Sequence, residues 1–268
     1  MFGQNQIIYP MFLSIDAGNS NIVFGFYEAE NQTWKYECRV NTKTEFSLIQ
    51  LEKELHLFFL ENDIKIEHID HVGFSSVVPE INRMIAQFCS EFLGKSCYLI
   101  AGKSYQKLKV STKRPNEIGT DLMCNVTAAY EKFQDACIIV DFGTALTFTV
   151  VNKNGAVQGV NIVPGLKTAM RALVQNTSKL PEVELAQPKS AIGKNTVESI
   201  QAGIYYGYSG LVRGMLDEIE KELGYSSKII ATGGLSSIIT NLQSTFDVVD
   251  RNLTLEGIRL ITLSNQTI

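Results

Sequence analysis

The chain has 268 residues, 45% of them hydrophobic and 19% charged, and a formal net charge of −4. That length supports a large core in one big domain or two moderate ones, and the composition is that of a soluble globular protein. The acidic balance, with a pI near 5.5, argues against non-specific nucleic-acid binding, which needs a basic surface, yet leaves room for a small anion held by local donors.

Cys38, Cys89, Cys97, Cys124 and Cys137 are scattered and form no CxxC pair. This speaks against a disulfide framework and for a reducing cytoplasm, with small apolar core residues as the plain reading. His56, His68 and His71 form no close cluster with them, so a zinc site has little support. The amino terminus has no positive leader and no run reaches the ~18 apolar residues of a membrane span, so neither secretion nor a membrane association is expected.

Residues 1–10 read as an N-terminal extension. A strand-like run from Met11 to Asp16 then meets Ala17-Gly18-Asn19-Ser20 and returns through Asn21, Ile22 and Val23 to Tyr27, which is a hairpin signal. Trp34–Val40 adds a third strand, and Phe46–Glu61 has helical apolar spacing through Leu48, Leu51, Leu55, Phe58 and Phe59. Ile66–Phe74 reads as a strand, Pro79–Phe92 as a helix and Cys97–Ile100 as a strand. The order βββαβαβ fits helices covering a mixed sheet.

Gly119-Thr120-Asp121 marks a helix start, and the division between the halves is expected inside that helical segment. The expected domains are an N-terminal lobe over 11–118 and a C-terminal lobe over 119–268. Cys137–Val151 restates the first hairpin, with Asp141 before Phe142-Gly143-Thr144. A turn at Asn152–Gly155, a strand to Ile162, a break at Pro164-Gly165 and a helix over Leu166–Val174 follow. Then come a long helix over Thr196–Leu223, a strand at Lys228–Ala231, a turn at Thr232-Gly233-Gly234 and a helix from Ser236.

An acid at the mouth of a glycine turn, beside free amides, suits a phosphate–metal pair. Taken singly these features are bland: Asp16 nucleates a turn, Thr120 or Asp121 caps a helix, and Gly233-Gly234 is a plain turn. Two acid-bearing hairpins in one chain instead point to a duplicated α/β fold with a nucleotide cleft between two lobes. The glycine pair lets a backbone approach the nucleoside.

This arrangement resembles the acetate and sugar kinase, Hsp70 and actin superfamily, whose lobes are ribonuclease H-like. Within it the residues resemble type III pantothenate kinase, the Bvg accessory factor family. The likeness rests on Asp16-Ala-Gly-Asn-Ser20, Glu117-Ile-Gly-Thr-Asp121, Asp141-Phe-Gly-Thr-Ala-Leu-Thr147, Ile162-Val-Pro-Gly165, Thr177-Ser-Lys-Leu-Pro181, Asn195-Thr196, Gly203-Ile-Tyr-Tyr-Gly207 and Ala231-Thr-Gly-Gly-Leu235.

The resemblance implies ATP-dependent phosphorylation of pantothenate to 4'-phosphopantothenate, the first step of coenzyme A biosynthesis, with Asp121 as general base. It implies that residues 16–23 cradle ATP, with Asp16 near Mg2+. Asp141 would bind a monovalent cation (K+ or NH4+), and Thr144 and Gly233-Gly234 would contact the nucleotide. Gly119, Thr120, Asp121, Leu122 and Thr196 would meet the acceptor. Thr196–Leu223 carries apolar residues on more than one face, leaving one able to bury against a partner, and the resemblance likewise implies a homodimer.

The chain departs from the family pattern at Leu122, where an arginine is usual, at Gly159-Val160 for Gly-Gly, at Leu146, and at Thr112 or Lys113 where a tyrosine is usual. Lys113 or Arg114, a few residues upstream, is a candidate to replace the missing arginine, the alternative being that both are solvated surface cations. A kinase for another small hydroxyl substrate, or a nucleotide-binding homologue with a regulatory role, are the alternatives.

Overall fold

In the computed structural model, which describes residues 10–42 and 47–266, the chain divides into two units that alternate along the sequence. One holds the residues up to Leu108, Arg114–Thr127 and those from Thr254 onward; the other holds Lys109–Lys113 and Ala128–Leu253.

The first unit opens with a meander, β1 (Met11–Ala17), β2 (Asn21–Glu28) and β3 (Thr33–Asn41). It continues through α1 (Leu48–Glu61), β4 (Ile69–Ser76), α2 (Asn82–Glu91) and β5 (Tyr98–Leu99). The sheet order is β3-β2-β1-β4-β5, with β1 antiparallel to β2 and parallel to β4. β1 and β2 are buried almost throughout, whereas β3 alternates between exposed and partly covered residues, as an edge strand with one wet face does.

Ser47 caps α1 in a capping box with Gln50, and the helix buries Leu51, Leu55 and Phe59 in the cluster that holds Leu13, Phe24 and Phe26. The expected strand at Ile66 and the expected helix at Pro79 each begin instead with a short 3-10 turn, Ile66–His68 and Pro79–Ile81. Residues 1–9 and Phe46, the first residue expected in α1, lie outside the described residues.

α3 (Thr120–Phe133) contributes residues to both units. The second unit then repeats the plan with β6 (Cys137–Phe142), β7 (Ala145–Val151), β8 (Val157–Pro164), α4 (Leu166–Gln175), α5 (Thr196–Leu223), β9 (Lys228–Thr232) and β10 (Val248–Val249). Its sheet order, β10-β9-β6-β7-β8, is the first sheet's permutation over again: meander, then two parallel strands added beside the first. α5 starts on an Asn195 cap and ends at Gly224 in the left-handed region, as a glycine C-cap favours. Its Ile200, Ile204, Tyr205, Tyr208, Val212 and Leu216 enter a core with Val140, Phe142 and Phe148.

The helix expected from Ser236 does not form. Gly233 has φ +88, and Ser236 returns both its amide (3.2 Å) and its hydroxyl (2.8 Å) to the Gly233 carbonyl. This is a local turn of the kind that competes with a helix. A 3-10 segment over Thr240–Thr245 follows, and the helix comes later as α6 (Leu253–Asn265). That helix belongs mainly to the first unit: Ser14 Oγ donates to the Leu255 carbonyl at 2.8 Å. Gly257 lies flat on the Cys124 backbone, where any Cβ would collide.

Candidate active site

In the first unit the site is built at the ends of β1 and β4. Asp16, the penultimate residue of β1, pairs with Ser75 of β4, and residues opposed across neighbouring strands project from the same face. The turn after it closes through Gly18 N to Asn21 O at 2.9 Å and is tied down by Thr42 Oγ1 to Gly18 O at 2.8 Å. Asn19 and Ser20 stay exposed at its tip.

β4 ends by receiving α3. Ser75 Oγ lies 2.9 Å from Thr120 Oγ1, and Thr120 Oγ1 donates to the Ser76 carbonyl at 3.1 Å. This fixes the first turn of the helix and hence Asp121. The Leu122 amide donates to Asp121 Oδ1 at 2.8 Å, while the Leu122 side chain is itself buried, so its link to Asp121 runs through the backbone. Gly119 lets the carboxylate fold back: a Cβ there would collide with Asp121 Oδ1.

Burial pushes the Asp121 carboxyl above its ordinary 3.8, against the Leu122 amide, which pulls it down. Beneath it sits the fully buried Cys124. Burial first, then the charges of Asp16 and Asp121, hold this thiol well above 9.0, and a hydrogen bond with Ser75 opposes them. Cys124 therefore stays a neutral thiol close to both carboxylates, and the structure brings Asp16, Thr120 and Asp121 into one neighbourhood. Ser75 is the member that sequence reasoning missed; its only signal was a serine pair closing an apolar run.

The second unit repeats the device. Asp141, penultimate in β6, pairs with Thr147 on β7 and with Thr232 on β9, so two hydroxyl side chains flank it on one face. Both Thr147 Oγ1 and Thr232 Oγ1 are buried without a hydrogen-bond partner among the described residues. Gly233 packs against the same carboxylate: an added Cβ would stand 2.5 Å from Asp141 Oδ1 and 2.8 Å from the Phe142 backbone.

Thr144 sits exposed on the β6–β7 turn. Its carbonyl accepts from Gly165 N at 3.0 Å and from Thr168 Oγ1 at 2.7 Å. Gly234 is exposed on the turn that follows β9. Thr196 opens α5 and lines an apolar cavity of about 300 Å³ with Leu173, Leu180, Ser199, Ile200, Gly203 and Ile204. Among the described residues no three His, Cys, Asp or Glu side chains gather as a metal cage, and no helix is long and apolar enough to cross a membrane.

A family model described as type III pantothenate kinase matches residues 12–218. The chain belongs to the type III pantothenate kinase family. Curated relatives of that name include one from Citrifermentans bemidjiense, 40% identical over 96% of this chain and 100% of the relative. Another, from Brevibacillus brevis, is 38% identical with the same coverage.

Solved structures agree on the fold. A Campylobacter jejuni protein described as a Baf family transcriptional activator aligns with TM-score 0.56 at 17% identity, over 96% of this chain and all of that one. The ethanolamine utilization protein EutJ of Carboxydothermus hydrogenoformans aligns with TM-score 0.51 at 12% identity, over 96% and 92%. Together with the repeated sheet order, these likenesses make the family's fold a duplicated ribonuclease H-like one.

Proposed function

We propose that this chain phosphorylates pantothenate with ATP and that Asp121 is the general base for the acceptor hydroxyl. Family membership supplies the reaction, an ATP-dependent step of coenzyme A biosynthesis. The observation that carries Asp121's role is its seat: a carboxylate held at the first turn of α3 by the Leu122 amide, on a turn that Thr120 ties to β4, with its basicity raised by burial. Phosphoryl transfer depends mainly on alignment and charge neutralisation, and such a carboxylate accepts a proton late in the step.

Residues 16–23 cradle the phosphates, with Asn19 and Ser20 exposed at the tip of the turn and Asp16 at its mouth. A single carboxylate beside them fits Mg2+, which keeps waters and takes most of its ligands from the nucleotide. Asp141, with the unpaired hydroxyls of Thr147 and Thr232, offers the hard oxygen donors that suit K+ or NH4+. Such an ion would supply positive charge beside the β6–β7 turn when bound. Thr144, Gly233 and Gly234 meet the nucleotide. Gly119, Thr120, Leu122 and Thr196 bound the acceptor, and Arg114, already ion-paired with Glu117 at 3.0 Å, supplies the cation that Leu122 does not. α5 leaves Val197 and Tyr206 exposed, which supports its use in a homodimer, and the cytoplasm is the location proposed for the chain.

Two variants separate these roles. Asp121→Asn abolishes pantothenate-dependent ADP formation and leaves ATP binding intact; Asp141→Asn preserves a basal rate that K+ no longer raises. Normal turnover in Asp121→Asn would remove the base from the account. A second reading, a kinase for another small alcohol, draws on one feature: the side chain after Asp121 is a buried leucine. A screen of hydroxyl acceptors tests it.

A further inference from the structure

Tyr205 and Tyr208 lie three residues apart on α5, so their side chains leave neighbouring positions on one face of the helix. Both are buried, and no step of the proposed reaction uses either hydroxyl. Tyr208 Oη donates to the carbonyl of Pro164, the last residue of β8, at 2.7 Å. The same peptide unit carries Gly165 N, which donates to the Thr144 carbonyl at 3.0 Å. Gly165 also lies flat on this turn, where an added Cβ would collide with the Gly143 carbonyl.

Tyr205 reaches the other glycine turn of the second unit. Its hydroxyl accepts from Asn241 N at 3.3 Å and lies 2.8 Å from Thr240 Oγ1. Thr240 Oγ1 donates onward to Gln187 Oε1 at 3.3 Å, so the proton between the two hydroxyls comes from Tyr205. Further along the same 3-10 segment, Gln243 Nε2 donates to the Ser236 carbonyl at 3.0 Å. Ser236 in turn closes on Gly233 through its amide and its hydroxyl.

We propose that Tyr208 and Tyr205 are positioning residues for the nucleotide, Tyr208 setting the phosphate-side turn at Thr144 and Tyr205 the nucleoside-side turn at Gly233-Gly234. This division of labour rests on the reading of both turns as nucleotide contacts. Thr144 and Gly234 are exposed, so little packing fixes the tips and their placement depends on hydrogen bonds at the base. A peptide unit is planar. Holding the Pro164 carbonyl therefore also aims the Gly165 amide at Thr144. Burial raises the Tyr208 hydroxyl above its ordinary 10.0, which keeps it a donor. Phenylalanine at either position retains the ring in the core and removes only the directional bond. The freed turn must then be ordered by the ligand, and affinity falls.

The test measures dissociation constants of the full-length protein for ATP, adenosine and inorganic tripolyphosphate, each with Mg2+. Tyr208→Phe should weaken ATP and tripolyphosphate about three- to tenfold, the range of one hydrogen bond, and leave adenosine unchanged. Tyr205→Phe should weaken ATP and adenosine to the same extent and leave tripolyphosphate unchanged. Thr240→Val, at an exposed position, should follow Tyr205→Phe. Wild-type affinities in the variants, or an equal loss for all three ligands, would overturn the proposal while the nucleotide reading of the turns stands. A wild-type protein that binds none of the three would remove that reading, and the proposal with it. A partly folded variant lowers the number of sites rather than the ratio of the constants, and each variant carries its own prediction, so any one of them decides.

Discussion

Replacing Thr147 and Thr232 by valine tests whether Asp141 and its flanking hydroxyls form a cation seat. Both hydroxyls are buried and unpaired among the described residues, on the face that carries Asp141. A buried hydroxyl without a partner costs roughly 1–3 kcal/mol, and a methyl of the same shape avoids that cost. Each substitution should therefore stabilise the cation-free protein by about 1 kcal/mol. For a chain of this size that is roughly 2–4 °C of Tm apiece.

Function should move the other way, with half-saturation by K+ rising at least about tenfold in the double variant, the equivalent of some 1.4 kcal/mol of lost coordination. Thr149→Val is the control. Its hydroxyl is also buried and unpaired, but it faces Ile139 across the ladder, so it should gain stability without changing the response to K+. Thermal unfolding in choline buffer and a K+ titration of turnover supply the two readings. A fall in Tm for both threonine variants would mean the hydroxyls have partners, and an unaltered K+ response would refute them as ligands.

Other outcomes follow from the same geometry. Because burial raises the Asp121 carboxyl above 3.8, the folded state binds its proton more tightly than the unfolded state does, and the ionised group opposes folding once pH exceeds the raised value. Asp121→Asn should thus be more stable than wild type at neutral pH, an advantage that fades as pH falls through the raised pKa; pH-dependent melting curves check it. In wild type the acid limb of kcat/KM should lie above the range of an ordinary aspartate. Gly233→Ala forces a Cβ to 2.5 Å from Asp141 Oδ1 at positive φ, whereas Gly94→Ala meets nothing within 4 Å. Urea unfolding should show roughly 1 kcal/mol lost at Gly94 and several at Gly233. Arg114→Ala should raise KM for pantothenate about tenfold with little change in Tm, since its exposed pair with Glu117 contributes under ~1 kcal/mol to folding.

The elements legible in the sequence were those set by local chemistry. The apolar runs bracketing Asp16 and Asp141 announced both hairpins, and Asn195 and Gly224 bounded α5 where the pattern predicted. What the sequence did not disclose depended on partners far along the chain. A helix is expected from Ser236, yet Gly233 at positive φ and the Ser236 hydroxyl turn the chain aside. α6 returns to the first unit because Gly257 fits the backbone at Cys124, a match visible only in three dimensions. The setting of Asp141 between Thr147 and Thr232 is a matter of strand register. Ser75 was overlooked for the same reason, since its importance lies in pairing with Asp16 and touching Thr120.

The most direct test of the central claim is ADP release by the purified protein from ATP and Mg2+, with and without pantothenate, in K+ and in Na+ buffer. Turnover that requires pantothenate and rises with K+ is the result predicted. ATP hydrolysis indifferent to pantothenate, or no turnover despite bound nucleotide, would contradict it.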